Sequence, residues 1–275
     1  MAVKYLAGDR LIGTAAERTA LSGTTVSYAT PTFENDFDSN TGWTQSGSTI
    51  TVDDHVTDKC SINDPATSST HRVYRGLGIT LNDTTWLCTC EINISAMSND
   101  ERAFPICFSS TTGSYRSSHD SVAIRLGGGL TSMGGSSKDI GMSRNDGGSV
   151  IHLTDANSIA VSVNTTYYVK FYRESGALKL AVFTGSDYAT GQVGSTQTHQ
   201  SISSPTGLDN IVIGSDDGST GGVNATVDNV KVFNNSLVYS TSTPFYPFLP
   251  NGAIFEESDT GKHYMFDGTS AWNEM

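Results

Sequence analysis

Tyr168-Val-Lys-Phe-Tyr-Arg-Glu-Ser-Gly-Ala-Leu-Lys-Leu-Ala-Val-Phe183 holds two alternating runs around Glu174-Ser175-Gly176. Val169 and Phe171 recur at every second position before the break, as do Leu178, Leu180 and Val182 after it. A period of two puts these side chains on one face of a strand and cannot make an apolar stripe on a helix. Gly176 can take positive φ, so Glu-Ser-Gly is turn chemistry, and the two runs are expected to be adjacent antiparallel strands. The same reading extends outward. In Trp86-Leu-Cys-Thr-Cys-Glu-Ile-Asn-Ile94, Trp86, Cys88, Cys90, Ile92 and Ile94 share one face. Further strands are predicted at Thr49 to Val52, Arg72 to Leu77, Phe104 to Ser109, Ser121 to Leu126, Asn210 to Gly214 and Ala225 to Phe233, with Gly, Asn, Asp and Ser turns between them. Helical periodicity over ten or more residues is absent. Strands with one apolar face each are satisfied by two sheets packed face to face.

Composition agrees. Of 275 residues 28 are Gly and only 36 % are hydrophobic, yet aromatics stand at an ordinary 9 %, which fits a folded chain rich in turns rather than a disordered one. The 28 acidic residues outnumber 16 scattered basic ones, for a net charge of −12 and a pI near 4.7. This excludes general nucleic-acid binding and anionic membrane surfaces, both of which need clustered Lys and Arg. No stretch is apolar enough to span a membrane, and Met1 to Arg10 lacks the apolar core of a signal peptide, so synthesis in a cytoplasm without export by that route is expected.

Three segments are expected. Residues 1–30 form an arm in which Thr14-Ala-Ala-Glu17 is a capping-box pattern opening a short helix that Ser22-Gly23 stops. Residues 31–240 form the sandwich, about twice the length of a seven-stranded immunoglobulin-like domain and better suited to a jelly roll. Residues 241–275 are a proline-rich linker, unable to supply a central strand, followed by a small β segment. Gly127 to Gly148, with three glycine clusters, reads as a long mobile loop or a short strand between two loops. Cys88 and Cys90 read as core residues rather than zinc ligands, and a bridge between Cys60 and Cys107 is left open by spacing alone.

The stretch Phe33-Glu-Asn-Asp-Phe-Asp-Ser-Asn-Thr-Gly-Trp43, the strand Trp86 to Ile92, Thr166 to Arg173 with Leu178-Lys-Leu180, and Val223-Asn-Ala-Thr-Val-Asp-Asn-Val-Lys-Val-Phe233 together resemble the concanavalin A-like lectin/glucanase superfamily, especially laminin-G-like jelly rolls. The resemblance implies an all-β sandwich of two curved antiparallel sheets, with glycan or protein ligands on one face or on rim loops and in some members a bound calcium ion. The two ends, Lys4 to Arg18 and Leu249 to Met275, resemble terminal segments of virion structural proteins in tailed viruses of marine bacteria and archaea. That implies a virion surface location, other virion proteins as partners and a homo-oligomer, with a trimer favoured. Ile254-Phe255, Tyr264-Met-Phe266 and Trp272 read as a hairpin plus one strand, too small for a core of its own, so Phe255, Tyr264, Phe266 and Trp272 are expected to dock on a neighbour.

Catalysis is not expected. The glucanase relatives carry Glu-x-Asp-x-x-Glu, whereas Glu34-Asn-Asp-Phe-Asp-Ser39 has Ser39 at the acid/base position, and other carboxylate pairs are sequence-adjacent and would face opposite ways in a strand. No nucleophile elbow or phosphate-binding loop is present. Calcium is the metal to expect, held by loop oxygens of Glu34, Asp36 and Asp38 near the first strand and Asp216, Asp217 and Asp228 near the last. Glycan contacts are expected from Tyr115, Arg116, His119 and Asp120, with Asn145 and Asp146. The leading expectation is a non-enzymatic virion surface protein, a capsid decoration or tail appendage, touching host-surface glycans. The alternatives are a cellular carbohydrate-binding module and, third, a glycoside hydrolase.

Overall fold

The computed structural model describes residues 4–6, 10–20, 23–28, 30–47, 50–52, 58–64, 71–97, 103–113, 118–128, 138–152, 158–199, 204–215, 222–237, 240–245, 252–267 and 271–275. The elements in chain order are β1 (Lys4–Leu6), β2 (Arg10–Gly13), α1 (Ala15–Ala20), β3 (Gly23–Tyr28), β4 (Phe33–Asn35), β5 (Thr44–Ser46), β6 (Ile50–Thr51) and β7 (Cys60–Asp64). Then come β8 (Arg72–Gly76), β9 (Trp86–Met97), β10 (Ala103–Ser109), β11 (Ser121–Gly128), β12 (Lys138–Asp146), β13 (Ser149–His152), β14 (Ser158–Ala160), β15 (Thr165–Glu174) and β16 (Ala177–Phe183). The last are β17 (Gln197–His199), β18 (Asn210–Ser215), β19 (Val223–Asn234), β20 (Ser240–Phe245), β21 (Ile254–Glu257), β22 (His263–Phe266) and β23 (Trp272–Glu274). They fall into two units, Thr30–Leu237 and a terminal unit made of Met1–Ala29 with Val238–Met275.

The larger unit is a sandwich of two antiparallel eight-stranded sheets. Sheet I runs β17-β16-β15-β9-β19-β7-β6, with β4 also on β19, and sheet II runs β13-β12-β11-β10-β18-β8-β5, with β14 also on β12. The hairpin that opened the sequence argument forms as expected: Glu174 pairs with Ala177, and Ser175 (φ 50°) and Gly176 (φ 81°) make a two-residue turn whose positive φ values match the strand twist. The face of β9 bearing Trp86, Cys88, Cys90, Ile92 and Ile94 is fully buried in the core between the sheets. Trp86 meets the rings of Phe108 and Phe171 edge-on at 5.2 and 5.3 Å, which joins the two sheets at the centre of that core.

Pro105 would break the ladder of β10, a central strand. The register of β10 shifts around it against both β11 and β18, and this bulge tolerates the missing N–H. It also turns Phe104 and Cys107 outward, where they form a second small cluster with Ala123 and Val212. Cys60 lies in the main core, and all four cysteines are free thiols, which answers the question left open by spacing.

The expectation of a mobile loop over Gly127 to Gly148 is corrected at both ends. β11 runs through Gly128, β12 pairs with it from Lys138, and Gly147 (φ 57°) and Gly148 (φ 102°) close the β12–β13 hairpin. Ile140 and Met142 point into the core while small or polar residues alternate outward, a strand pattern masked by its glycine content.

In the terminal unit the order is β1-β2-β21-β22-β23, with β2 parallel to β21, and β20 pairs separately with β3. Pro244 sits on β20 in that two-stranded ladder, consistent with proline being barred from central positions. Leu11, Ala253, Phe255 and Phe266 are buried, and α1 lies by β21 through Arg18, which pairs with Glu257 and covers the Tyr264 ring at 3.8 Å. Trp272 packs on Phe255 and Phe266 at 5.8 and 5.3 Å. The four aromatics expected to dock on a neighbour are thus packed within this unit. The N-terminal arm and the C-terminal segment supply one sheet together, rather than acting as two separate pieces.

Candidate functional site

The face of sheet II turned away from the core carries part of the candidate site. Val122, Ile124 and Leu126 of β11 enter the core, so Ser121, Ala123 and Arg125 point outward, as do Asp139, Gly141, Ser143 and Asn145 of β12 opposite them. Outward residues of an antiparallel sheet are commonly solvated, yet Ser109, Ser121, Arg125, Ser143 and Asn145 are all 0 % exposed. The buried Ser121 hydroxyl lies against the Cys107 thiol, while the Ser143 Oγ is shielded from solvent and has no hydrogen-bond partner. The same holds for Nε2 of His119, a residue that is 7 % exposed. Burial pushes the His119 imidazole below its ordinary pKa; Asp120 opposes this, and the charge of Arg72 adds to it. Gly113 permits the close approach of His119, since a Cβ there would lie 3.2 Å from the ring.

Four of the six residues expected to touch glycan meet at one end of sheet II, His119 and Asn145 on its outer side and Asp120 and Asp146 on its inner side. Asp120 accepts from Gly147 N at 3.0 Å through Oδ1 and from Thr206 N at 2.9 Å through Oδ2. Ser204 Oγ donates to Asp146 Oδ1 at 2.6 Å, and Asn145 Oδ1 accepts from Gly148 N at 2.9 Å. His119 and Asp120 lead into β11, and Asn145 and Asp146 end β12, so the β11–β12 pairing brings them together across Ser121 and Asn145. Tyr115 and Arg116 lie outside the described residues. Sequence reasoning missed Ser121, Ser143 and Arg125, although the non-core positions of Ser121-Val-Ala-Ile-Arg-Leu126 already held a hydroxyl and a guanidinium.

The acidic residues expected to hold calcium lie elsewhere. β4 pairs with β19, so Asp36 and Asp38 come near Asp228, as the expected adjacency of first and last strands required. The Asp36 charge, with smaller effects from burial, Asp58 and Asp228, holds the exposed Asp38 carboxyl above its ordinary pKa. Burial raises that of Asp228, while Asn229 N–H and Lys59, whose Nζ lies 3.5 Å from Asp228 Oδ2, pull the other way. Glu34, Asn35, Asp36, Asn229, Val230 and Lys231 line a surface cavity of about 310 Å³ there. Among the described residues no three His, Cys, Asp or Glu side chains are arranged to hold a metal ion, so these donors make no carboxylate cage. Asp216 and Asp217 lie outside the described residues.

No family model and no curated protein matches the sequence. Solved structures do match the fold. The VIP36 exoplasmic/lumenal domain in its Ca2+/Man3GlcNAc-bound form aligns with a TM-score of 0.55 at 10 % identity, over 78 % of this chain and 92 % of that one. The Emp47p carbohydrate recognition domain aligns with a TM-score of 0.53 at 11 % identity, over 76 % of this chain and 98 % of that one. The fold is an all-β jelly-roll sandwich of two antiparallel sheets, similar to that of these two domains. A xylan β-1,4-xylosidase from Bacillus halodurans C-125 is also similar, with a TM-score of 0.47 and 14 % identity, and this chain spans 39 % of its length.

Proposed function

We propose that this protein is a non-enzymatic glycan-binding protein and that the end of sheet II where His119, Asp120, Asn145 and Asp146 come together is its binding site. The observation that carries this reading is the polar cluster there: Asp120, Asn145 and Asp146 are held by Gly147, Thr206, Gly148 and Ser204, beside His119 Nε2 and Ser143 Oγ, which are buried without a partner. Unpartnered buried hydroxyls cost free energy and are kept where something else satisfies them. A sugar presents a dense set of hydroxyls able to donate to and accept from each of these atoms. Backbone N–H groups hold Asp120 and Asn145 in place, and the Ser204 hydroxyl holds Asp146. The fold likeness to carbohydrate-binding domains supports the same reading.

The wider setting we propose is the surface of a virion, as a capsid decoration or tail appendage, with the terminal unit as the attachment to other virion proteins, a homo-oligomeric and favoured trimeric state, and host-surface glycans as ligands. Its support is the resemblance of the two chain ends to virion structural proteins.

A glycan array followed by calorimetric titration tests the binding reading. The parent protein is expected to bind a defined oligosaccharide, and Ser143→Ala to weaken that binding at least tenfold without lowering Tm, because it removes a buried group that has no partner in the fold. Failure to bind any arrayed glycan, or equal binding by Ser143→Ala and Ser121→Ala, overturns the assignment.

A further inference from the structure

A second polar feature lies on the inner side of the sandwich, at one end. Arg173 on β15, Leu178 on β16 and His199 on β17 are successive cross-strand partners in sheet I. Leu178 belongs to the core, so Arg173 and His199 also project between the sheets. From sheet II, Arg144 pairs with the core residue Val122 and enters the same space from the opposite side. Two backbone carbonyls steady the guanidinium groups: Arg144 Nη1 donates to Ser204 O at 3.3 Å, and Arg173 Nη1 donates to Pro205 O at 2.9 Å.

Two donor nitrogens remain. Arg144 Nε and His199 Nε2 are both shielded from solvent, and neither has a hydrogen-bond partner. The two groups are close enough that the Arg144 charge, after burial, depresses the His199 imidazole pKa. The nearby carboxylates are engaged elsewhere: Asp120 with Gly147 and Thr206, and Asp146 with the hydroxyl of Ser204. Among the described residues neither carboxylate forms an ion pair with Arg144. In a chain of net charge −12, an arginine and a histidine that project between the sheets with buried, unpartnered nitrogens form an arrangement that an acceptor would satisfy.

We propose that Arg144 and His199 bind an oxyanion, a carboxylate or sulfate group, between β12 of sheet II and the edge strand β17 of sheet I. The guanidinium Nε–H and the imidazole Nε2–H approach such a group from opposite sheets, giving two charge-assisted hydrogen bonds to separate oxygens. The group can come from a free anion or from an acidic sugar, and the chemistry of recognition is the same for both. The site uses the inner face and does not depend on the glycan-binding reading.

The test is thermal unfolding of the full chain and of its His199→Gln and Arg144→Gln variants, in chloride, in 10 mM sulfate and in 10 mM glucuronate at one ionic strength. In the parent, sulfate or glucuronate is expected to raise Tm by about 3 °C over chloride. Both variants are expected to lose that rise. A response to glucuronate but not sulfate selects a carboxylate sugar, and a response to both selects a general oxyanion site. No shift in the parent, or the same shift in all three proteins, overturns the proposal. Arg144→Gln also removes the bond to Ser204, so if it fails to fold, His199→Gln alone carries the comparison.

Discussion

Arg18 on α1 and Glu257 at the end of β21, 239 positions apart in the chain, meet in an ion pair with Nε 2.7 Å from Oε1. Asp259 extends the tie by accepting from the backbone N–H of Ala15 at 3.0 Å. β2 is bound along its length to β21, so it depends on a partner more than 200 positions later in the chain. Deleting 250–275 removes that partner and buries Leu11 against nothing. The truncated protein is expected to be cut by trypsin at Arg10 and Arg18 at least ten times faster than the full chain, while the sandwich stays intact. Limited proteolysis read by mass spectrometry checks this, and equal cleavage rates would show that β2 is held by something other than β21.

Asp120 ties three segments at the candidate site, accepting from the backbone of Gly147 and Thr206 and from the hydroxyl of Ser204. Hydrogen bonds to an ionised group contribute about 1.5–3 kcal/mol each, though in a partly exposed site the sum is smaller. Asp120→Ala is expected to cost about 2 kcal/mol, or roughly 4–8 °C in Tm. Asp120→Asn keeps the acceptor for one N–H and is expected to cost less than half of that. Thermal unfolding of the two variants ranks them, and an Asn variant as unstable as the Ala variant would mean that charge, not geometry, holds the segment.

The core of the sandwich was legible because β9, β15 and β16 alternate cleanly and because burial on one face needs only local pattern. β12 was not: its outward positions are Asp139, Gly141, Ser143 and Asn145, a composition that reads as loop until Ile140 and Met142 are matched to Leu126 and Ile124 across the ladder. The parallel pairing of β2 with β21 was also hidden, since nothing in either short strand marks a partner more than 200 residues away. At the site, His119, Asp120, Asn145 and Asp146 could be named from their residue types. The buried serines could not, because a serine in a strand signals nothing until the face it occupies, and the burial of that face, are known.

Asp38 stands among like charges, and its carboxyl is raised in the folded state mainly by Asp36. A raised carboxyl means that the folded protein holds its proton to a higher pH than the unfolded chain does, so this group lowers stability as pH climbs from its ordinary value of 3.8 through the folded value. Asp38→Asn is therefore expected to raise Tm at pH 7 in EDTA, with the gain shrinking as pH falls through the folded value and gone below 3.8. Adding calcium chloride separates two cases. A bare acidic cluster predicts that the variant stays the more stable, whereas a cation held by Asp38 would make calcium stabilise the parent and reverse the order.

Burial sets the chemistry of the thiols. Cys60, Cys88 and Cys107 are shielded from water, and burial pushes the Cys107 thiol up to about 12 against an ordinary value of 9.0, opposed in part by the Ser121 hydroxyl; the other two shift in the same direction. The reactive species is the thiolate, so at pH 8 these groups are both inaccessible and protonated. A disulfide reagent is expected to label none of the four cysteines in the native protein within an hour and all four in guanidinium chloride. Because Cys88 and Cys90 share the buried face of β9 with Trp86, their labelling should follow global unfolding, with a rate that rises in denaturant as loss of the buried Trp86 signal does. Cys107 lies outside the main core, beside Phe104 and Val212 on the outer face of sheet II. A ligand seated at the His119 end of that face should therefore slow labelling of Cys107 in mild denaturant more than that of Cys88, and labelling of both at one rate with and without glycan would argue that the sugar does not bind there.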